Sequence, residues 1–237
     1  MIRINKLTKF FLAYLGLTAF SIPAFAHQHS ISGEHQQFVN SMLSSANNAN
    51  AAILKDRVKL LALDAQYQKS HALSSSETKW LKNLAAEYKA PSTNFNNHAT
   101  WVELEKRVDV IPPSLALGQS IQESGWGSSY LARDAHNYFG QECGSSRSCY
   151  GHTHYRYFGS ETAAVQAYMH NLNSNNAYRS VRDTRYAERT QHQKPNSLAM
   201  ANGLTHYSIL KGRYISTIKS VIKNYNLQKY DTNLGNA

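Results

Sequence analysis

The chain has 237 residues, which is enough for one sizeable hydrophobic core plus a helical appendage. Lys and Arg outnumber Asp and Glu by 25 to 15, which gives a formal net charge of +10 and favours an anionic partner. The basic residues are scattered rather than grouped, which also fits simple solubility, and the sequence has no internal repeat or low-complexity tract, which excludes repeat and fibrous classes.

The amino terminus has the pattern of a cleaved secretory signal peptide. Three basic residues precede an apolar run from Phe10 to Ile22, and residues 24–26 (Ala-Phe-Ala) have the form of a cleavage site. The run is shorter than the roughly 20 apolar residues that a membrane-spanning helix needs. Removal of residues 1–26 leaves a net charge of +7 on residues 27–237. We therefore expect export to the periplasm or cell envelope, where an anionic wall or membrane surface fits this charge better than nucleic acid. Membrane contact is expected only through the signal peptide before cleavage.

One carboxylate, Glu123, stands at the end of an apolar segment just before a Gly-Trp-Gly turn. Two prolines followed by Ser114 predict a helix that begins with Ser114 as its cap, and Gly125 predicts its end. In the last turn, unpaired carbonyls and the helix dipole disfavour a second negative charge, and burial beside Trp126 would raise the pKa of Glu123 further. A carboxylic acid that is neutral near pH 7 can protonate a glycosidic oxygen. The alternative is an ordinary exposed Glu at a helix end.

Most of the remaining chain is predicted to be helical. Residues 36–70 carry an apolar stripe at helical spacing, formed by Leu54, Val58, Leu61 and Ala65. Capping boxes at Ser74-x-x-Glu77 and Thr100-x-x-Glu103 predict two helix starts. Apolar residues at helical spacing also predict helices around Val165, Met169 and Leu172 and around Ile215, Ile218 and Ile222. Residues 150–158 have hairpin character. Residues 179–196 show no core face, and the tail from Asp231 is expected to be disordered.

Cys143 and Cys149 are the only cysteines and lie six positions apart. In an exported protein they predict one disulfide that closes a tight loop. A zinc site with Glu142, His152 or His154 stays a weaker alternative, because two thiolates need two more ligands. Cleavage after residue 26 would also expose a terminus (His-Gln-His, residues 27–29) that suits Cu(II) in a square plane. We expect no functional metal and no cofactor.

Aromatic and amide side chains follow Glu123 along the chain. The segment 137–141 (Asn-Tyr-Phe-Gly-Gln) combines ring faces with amide groups, and the chain holds 15 tyrosines. Sugars bind through stacking on aromatic rings plus hydrogen bonds to hydroxyl and acetamido groups. The set flanking Glu123 therefore predicts a sugar groove, although half-buried core positions with a wet hydroxyl are the alternative for any single tyrosine.

Taken in order, these motifs resemble the bacterial peptidoglycan N-acetylglucosaminidases of glycoside hydrolase family 73, and within it the Bax-type branch. Residues 112–127 are similar to the catalytic segment of that family, and residues 137–143 to its Asn-x-Phe-Gly-Gln-x-Cys element. Residues 157–173 resemble the next helix of the family, and residues 204–214 its Tyr-Ser-x-x-Gly-x-x-Tyr closing motif. With the helical segment 36–88, the likeness covers nearly the whole mature chain.

The resemblance implies a lysozyme-like α+β domain that is mostly helical, with a small β-hairpin lobe, over residues 99–230. A helical extension (27–98) would precede this domain, and the tail (231–237) would follow it. The implied reaction is cleavage of the β-1,4 bond after N-acetylglucosamine in peptidoglycan, with Glu123 as general acid. The expected substrate-binding residues are Trp126, Asn137, Phe139, Gln141, Tyr168, Tyr207 and Tyr214.

The second catalytic group does not transfer cleanly from the family. Asp134, Glu142 and Glu161 are candidates, and without one of them the acetamido group of the substrate can act as nucleophile. A lytic transglycosylase on the same substrate and a non-catalytic wall-binding protein are the alternative functions. A mannosyl-glycoprotein substrate ranks below peptidoglycan.

Overall fold

The computed structural model describes residues 29–144 and 148–235. The predicted signal peptide lies outside these residues, as do His27 and Gln28 of the predicted new terminus. Within the described residues, α-helices follow one another in this order: α1 (Gly33–Ser70), α2 (Ser75–Glu87), α3 (His98–Arg107), α4 (Pro113–Ser124), α5 (Tyr130–Ala135), α6 (Glu161–Ser174), α7 (Arg179–Thr190), α8 (Ser197–Met200) and α9 (Gly212–Asn224). Short 3-10 turns lie at Asn176–Tyr178, Ala201–Gly203 and Leu227–Tyr230. No helix in these parts of the chain is both long enough and apolar enough to cross a membrane.

Helix α4 is the central element and is buried almost all round. Its residues from Pro113 to Ile121 are all buried, including the polar Ser114, Gln119 and Ser120. It contacts α1 on one side and α9 on another, and Gly118 allows the closest approach, since a Cβ there would lie 2.8 Å from Ile222 Cγ1. Helix α4 reaches the surface only at its carboxyl-terminal end. Gly125 takes a left-handed conformation there (φ 57°) and ends the helix as predicted.

The long helix α1 joins two hydrophobic clusters. Its first half packs with α4, α6 and α9 in the main core, and its second half packs with α2 and α3 in a smaller one. The predicted stripe is wrong in register, because Val58 is 67% exposed while Ile53, Arg57 and Leu60 face inward. An apolar pattern could not identify this face, since a buried arginine forms part of it.

Two predicted helix starts are wrong and one is confirmed. Ser74 and Glu77 form the predicted capping box of α2. Helix α3 begins two residues before Thr100, with the Asn97 side chain as its cap. Helix α4 begins at Pro113, and Ser114 lies inside it. Proline at the first helical position needs no hydrogen-bond partner for its nitrogen, which explains why this start does not use the serine as a cap.

The predicted β-hairpin lobe is wrong. The described residues contain only two isolated antiparallel bridges, Glu142 with Tyr155 and Cys149 with Arg156. Backbone hydrogen bonds such as Cys143 N–H to His154 O (2.8 Å) connect the segments without a continuous ladder. The segment is rich in glycine and turn residues, which weaken strands.

Helix α7 and the carboxyl-terminal segment also differ from expectation. Although residues 179–196 lack an apolar stripe, α7 buries Arg182, Arg185 and Arg189 together with Val181. Arg189 donates hydrogen bonds to the carbonyl oxygens of Leu234 (2.6 Å) and Gly235 (3.0 Å). The Leu234 side chain is 2% exposed. The expectation of a disordered tail is therefore wrong for residues 231–235.

Candidate active site

Glu123 lies in the last turn of α4, where the buried helix meets the surface. The residue reaches solvent, but enough protein surrounds its carboxylate that burial raises its pKa. A hydrogen bond from the Tyr214 hydroxyl acts in the opposite direction and is the smaller effect. The direction predicted from the sequence is thus confirmed, and the cause is desolvation. Such a carboxyl keeps its proton to a higher pH than an ordinary glutamate.

A chain of hydrogen bonds behind Glu123 fixes the position of Tyr214. The Tyr168 hydroxyl donates to Gln119 Oε1 (2.6 Å), and Gln119 Nε2 donates to the Tyr214 hydroxyl oxygen (2.9 Å). Burial, and then the nearby Glu123 carboxylate, raise the pKa of Tyr214, so its hydroxyl retains the proton that it donates. Gln119 is absent from the residues that the sequence predicts for the site. The signal was available, because a glutamine in an apolar helix lies four residues before Glu123 and so on the same face.

The Gly-Trp-Gly turn after Glu123 is held by contacts from outside α4. Gly125, Trp126 and Gly127 all have positive φ (57°, 60° and 77°), a conformation that costs a non-glycine residue about 1–2 kcal/mol. The Trp126 ring stacks on His35 of α1 (centroids 4.0 Å apart, planes 9° apart) and meets Tyr225 edge-on at 4.9 Å. These contacts hold the tryptophan in place. A direct role for Trp126 in sugar binding stays a prediction.

Two of the predicted substrate residues, Asn137 and Gln141, shape the loop beside Glu123. Asn137 is buried and binds the backbone of Gln141 in both directions, since its Nδ2 donates to Gln141 O (2.8 Å) and its Oδ1 accepts from Gln141 N–H (2.9 Å). Gln141 Nε2 in turn donates to Ala164 O of α6 (3.1 Å). Asn137 thus shapes the loop 137–141, and Gln141 anchors it to α6.

The aromatic residues of this set pack against one another. Phe139 stacks on Tyr168 (centroids 4.0 Å, planes 7° apart), and each is 1% exposed. Tyr207 donates from its hydroxyl to Phe139 O (2.8 Å) and stacks on Tyr214 (5.4 Å, 7°). Burial leaves the Tyr168 ring without a free face, so the structure places this ring behind the site and not on a sugar.

A groove of about 890 Å³ runs along α6, and we call it the α6 groove. One wall is the loop 139–144 with Arg156, and the lining also includes Lys89 and Tyr207. The other wall is one face of α6, formed at helical spacing by Ala163, Gln166, Ala167, His170, Asn171 and Ser174. Glu123 lies beside this groove and not in its lining. Gly140 connects the two, because it lines the groove while a Cβ on it would lie 3.8 Å from Glu123 Oε2.

The three candidate second carboxylates differ in their surroundings. Asp134 accepts a hydrogen bond from the Tyr150 hydroxyl (3.1 Å). Glu161 accepts hydrogen bonds from Ser41 and Ser45 of α1 and so ties α6 to α1. Glu142 is exposed and lines the α6 groove. Of the three, only Glu142 is both exposed and part of the groove wall.

The cysteine prediction is confirmed, and the zinc alternative loses its thiolates. Cys143 and Cys149 form a disulfide with their Cα atoms 5.1 Å apart. In the parts of the chain that the structure describes, no group of three or more His, Cys, Asp and Glu side chains is placed to hold a metal ion. The disulfide follows directly on the groove-lining residues 139–142 and closes the segment 143–149.

Comparison of the sequence with known proteins identifies the family to which the chain belongs. A family model described as mannosyl-glycoprotein endo-beta-N-acetylglucosaminidase matches residues 98–227. The chain belongs to this glucosaminidase family. It is also 34% identical over 191 residues to Protein bax of Escherichia coli (strain K12), an alignment that covers 79% of this chain and 68% of that protein. No solved structure matches the chain significantly.

Membership of the glucosaminidase family confirms the resemblance read from the motifs and supports a glycosidase with a glycan substrate. The family-matched segment contains Glu123, Gly140, the disulfide and the whole of α6. It begins after α2, so all of α1, all of α2 and Lys89 come from the part of the chain that precedes the match. The mostly helical fold is consistent with a lysozyme-like glucosaminidase domain.

Proposed function

We propose that this protein is an exported glycosidase that cleaves the β-1,4 bond after N-acetylglucosamine in peptidoglycan glycan strands, with Glu123 as general acid. The observation that carries the proposal is the position of Glu123. It stands at the surface end of the buried helix α4, has a pKa raised by burial, and lies beside Gly140 at the wall of the α6 groove. A protonated carboxyl beside a polar groove is what glycosidic bond cleavage requires of a general acid.

In this mechanism Glu123 gives its proton to the glycosidic oxygen as the bond from that oxygen to the anomeric carbon breaks. Tyr214 holds the carboxyl in one orientation, and Gln119 holds Tyr214. After proton transfer the Tyr214 hydroxyl stabilises the new carboxylate by donating to it. The positive charge that develops on the sugar ring needs a second group for its stabilisation. A water molecule then adds to the anomeric carbon, and its released proton restores the protonated Glu123.

Glu142 is our candidate for that second group, because it alone of the three candidate acids is both exposed and part of the groove wall. The other possibility is attack by the acetamido group of the substrate itself. Replacement of Glu142 by Gln separates the two. A loss of roughly 10²-fold or more supports a carboxylate role, whereas near-normal turnover supports the acetamido group.

The central test is digestion of purified peptidoglycan by the mature protein and by its Glu123→Gln variant, followed by mass analysis of the fragment ends. We expect reducing N-acetylglucosamine ends from the wild-type protein and a loss of about 10²-fold or more in the variant. Near-normal activity of the variant would exclude Glu123 as the acid. Anhydro-muramic ends would instead identify a lytic transglycosylase, and binding without fragments would identify a non-catalytic wall-binding protein. Cleavage of mannosyl glycoproteins but not of peptidoglycan would identify a mannosyl glycoprotein as the substrate.

Export is part of the proposal and rests on the amino-terminal sequence. We expect protein recovered from the cell envelope fraction to begin at His27, after removal of residues 1–26. Sequencing the amino terminus of that protein checks the cleavage site. Recovery of the full-length chain in the cytoplasmic fraction alone would contradict export.

A further inference from the structure

Lys89 brings a positive charge into the α6 groove from outside the family-matched segment. It follows α2 and has a left-handed backbone (φ 53°) held by hydrogen bonds from Lys89 N–H to Ala86 O (3.2 Å) and from Ala90 N–H to Ala85 O (2.8 Å). The preceding Tyr88 is 4% exposed and packs into the smaller hydrophobic cluster. This anchoring fixes the backbone from which the lysine side chain extends.

The same residues connect to the wall of the groove. His170 of α6, which lines the groove, lies with its Nε2 2.9 Å from Glu87 O. Its ring also lies 5.6 Å from the ring of Tyr88. The end of α2 is therefore fixed against α6 at the level of His170, and Lys89 belongs to that part of the groove. Among the residues that the structure describes, the Lys89 ammonium makes no hydrogen bond and no ion pair.

The charges of the groove are separated along α6. Gln141 bonds to Ala164 O, which places the Gly140–Glu142 loop and the neighbouring Glu123 near the start of the helix. His170 comes six residues later, which is roughly 9 Å along the helix axis. Arg156 also lines the groove, and its guanidinium lies over the Phe158 ring at 4.5 Å. The acidic groups thus lie near one level of the groove together with Arg156, and Lys89 lies at another.

Between these levels the helix suits a neutral sugar. Gln166 of α6 is exposed there and offers an amide donor and acceptor to hydroxyl and acetamido groups. A neutral glycan has no group that needs an ammonium ion. The peptides of peptidoglycan have groups that an ammonium ion can bind, because they carry carboxylates on a branch that leaves the glycan backbone.

We propose that Lys89 binds a carboxylate of the peptide attached to the glycan strand, and so makes this protein prefer peptide-bearing over peptide-free glycan. The inference rests on the function proposed above and adds a specificity-determining residue to the same groove. The part of the chain before the family-matched segment would then contribute to substrate choice as well as to packing.

The test measures binding in the Glu123→Gln background, so that ligand is not consumed. The ligands are soluble glycan fragments that carry their peptides, and the same fragments after an amidase has removed the peptides. We expect Lys89→Gln to raise the Kd for peptide-bearing fragments about three- to tenfold and to leave the Kd for peptide-free fragments unchanged. Lys89→Arg should retain most of the preference, and high salt should reduce it.

Lys82→Gln is the matched control. Lys82 is an exposed lysine of α2 that lines a separate depression with Leu73 and Asn83, so its replacement removes the same charge away from the α6 groove. We expect it to change neither Kd. If Lys89→Gln leaves the Kd for peptide-bearing fragments unchanged, the proposal is overturned. An equal loss of affinity for both ligands would also overturn it, because Lys89 would then act on the groove as a whole.

Failure of the proposed function gives a different result. If the wild-type protein produces no new reducing ends from peptidoglycan, the glycosidase assignment fails, whatever Lys89 does. If fragments are released but the peptide preference does not depend on Lys89, only this inference fails. Thermal unfolding of each variant shows whether the fold is retained.

Discussion

The carboxylate of Asp231 accepts two hydrogen bonds from Ser114, one from its backbone N–H (2.8 Å) and one from its hydroxyl (2.6 Å). Ser114 is the second residue of α4, and the N-cap residue of that helix, Pro112, provides no side-chain cap. Asp231 therefore satisfies an N–H group that the helix start would otherwise leave open, and it does so from the carboxyl-terminal segment. Because Glu123 lies in the last turn of the same helix, this segment helps to fix the element that carries the candidate acid.

Stability should depend on pH through Asp231. Burial raises the pKa of Asp231 to about 6, and the hydrogen bonds from Ser114 offset only part of this effect. A carboxyl whose pKa is higher in the folded than in the unfolded chain binds its proton more tightly when folded. Its contribution is therefore full below about pH 4 and is lost as the pH rises through 6. In the wild-type protein this loss lowers the free energy of unfolding by at most about 3 kcal/mol between pH 4 and 6. We expect it to be absent from the Asp231→Asn variant.

Urea denaturation of the wild-type and Asn variants at several pH values checks this expectation. Glu105, whose pKa burial raises to about 7, contributes to both proteins and cancels in the difference. Glu34→Gln, at an exposed acid in the first turn of α1, is the control for the removal of one negative charge. Parallel curves for wild-type and Asp231→Asn would contradict the assignment.

Removal of the Tyr214 hydroxyl should shift the pH dependence of hydrolysis. The hydrogen bond from Tyr214 lowers the pKa of Glu123, against the larger effect of burial. In Tyr214→Phe the carboxyl should keep its proton to higher pH. Since a general acid acts in its protonated form, the alkaline limb of the pH–rate profile should move to higher pH. The rate itself should fall, because Gln119 loses its partner and the carboxyl loses its orientation.

Tyr207→Phe is the matched control for this prediction. Its ring stacks on Tyr214, but its hydroxyl donates to Phe139 O and not to Glu123. We expect a change in rate without a shift of the alkaline limb. An unchanged limb in Tyr214→Phe, or an equal shift in both variants, would show that Tyr214 does not set the pKa of the acid.

The features that the sequence predicts correctly have local causes. Gly125 ends α4 because a left-handed residue is needed there, and Ser74 with Glu77 caps α2 within one turn. The disulfide joins residues six positions apart. Ordered motifs along the chain are also sufficient to identify the glucosaminidase family.

The features that the sequence does not predict depend on residues far apart along the chain. The inward face of α7 carries arginines, and two of them, Arg185 and Arg189, pair with Asp109, about 80 residues earlier. The packed tail depends on Ser114 and Arg189. Hydrophobic periodicity treats arginine and aspartate as surface residues, so it could not assign either segment to the interior. The β-hairpin prediction fails for a different reason, because turn residues leave only isolated bridges around the disulfide loop.

Loss of the disulfide should affect the groove more than the fold. Cys143 and Cys149 close a small loop, which in the chain-entropy model contributes no more than about 2–3 kcal/mol. We expect the double Ser variant to fold but to hydrolyse peptidoglycan more slowly, since Cys143 directly follows the groove-wall residues from Gly140 to Glu142. Thiol titration of the unfolded wild-type protein without reductant should find no free thiol. Two reactive thiols per chain would refute the pairing.

Asp109 should be among the most sensitive positions for stability. Burial alone would raise the pKa of Asp109, but Arg185, Arg189 and Arg57 together hold it below its usual value, so the carboxylate stays charged. Arg189 binds it through two hydrogen bonds (3.0 and 2.8 Å), and Arg57 and Arg185 lie 3.5 and 3.6 Å away. The three arginines are each at most 5% exposed in their side chains.

Replacement of Asp109 by Asn would leave these buried cations without their shared anion. We expect a loss of about 3–5 kcal/mol in the free energy of unfolding, the usual cost of breaking a buried ion pair from one side. Asp183→Asn is the control, because Asp183 pairs with Lys106 (2.8 Å) and Arg179 (3.7 Å) while 42% of its side chain is exposed. Such a pair contributes less than about 1 kcal/mol. Urea denaturation of the two variants measures the difference, and similar losses in both would mean that the arginines are held by backbone carbonyls and not by Asp109.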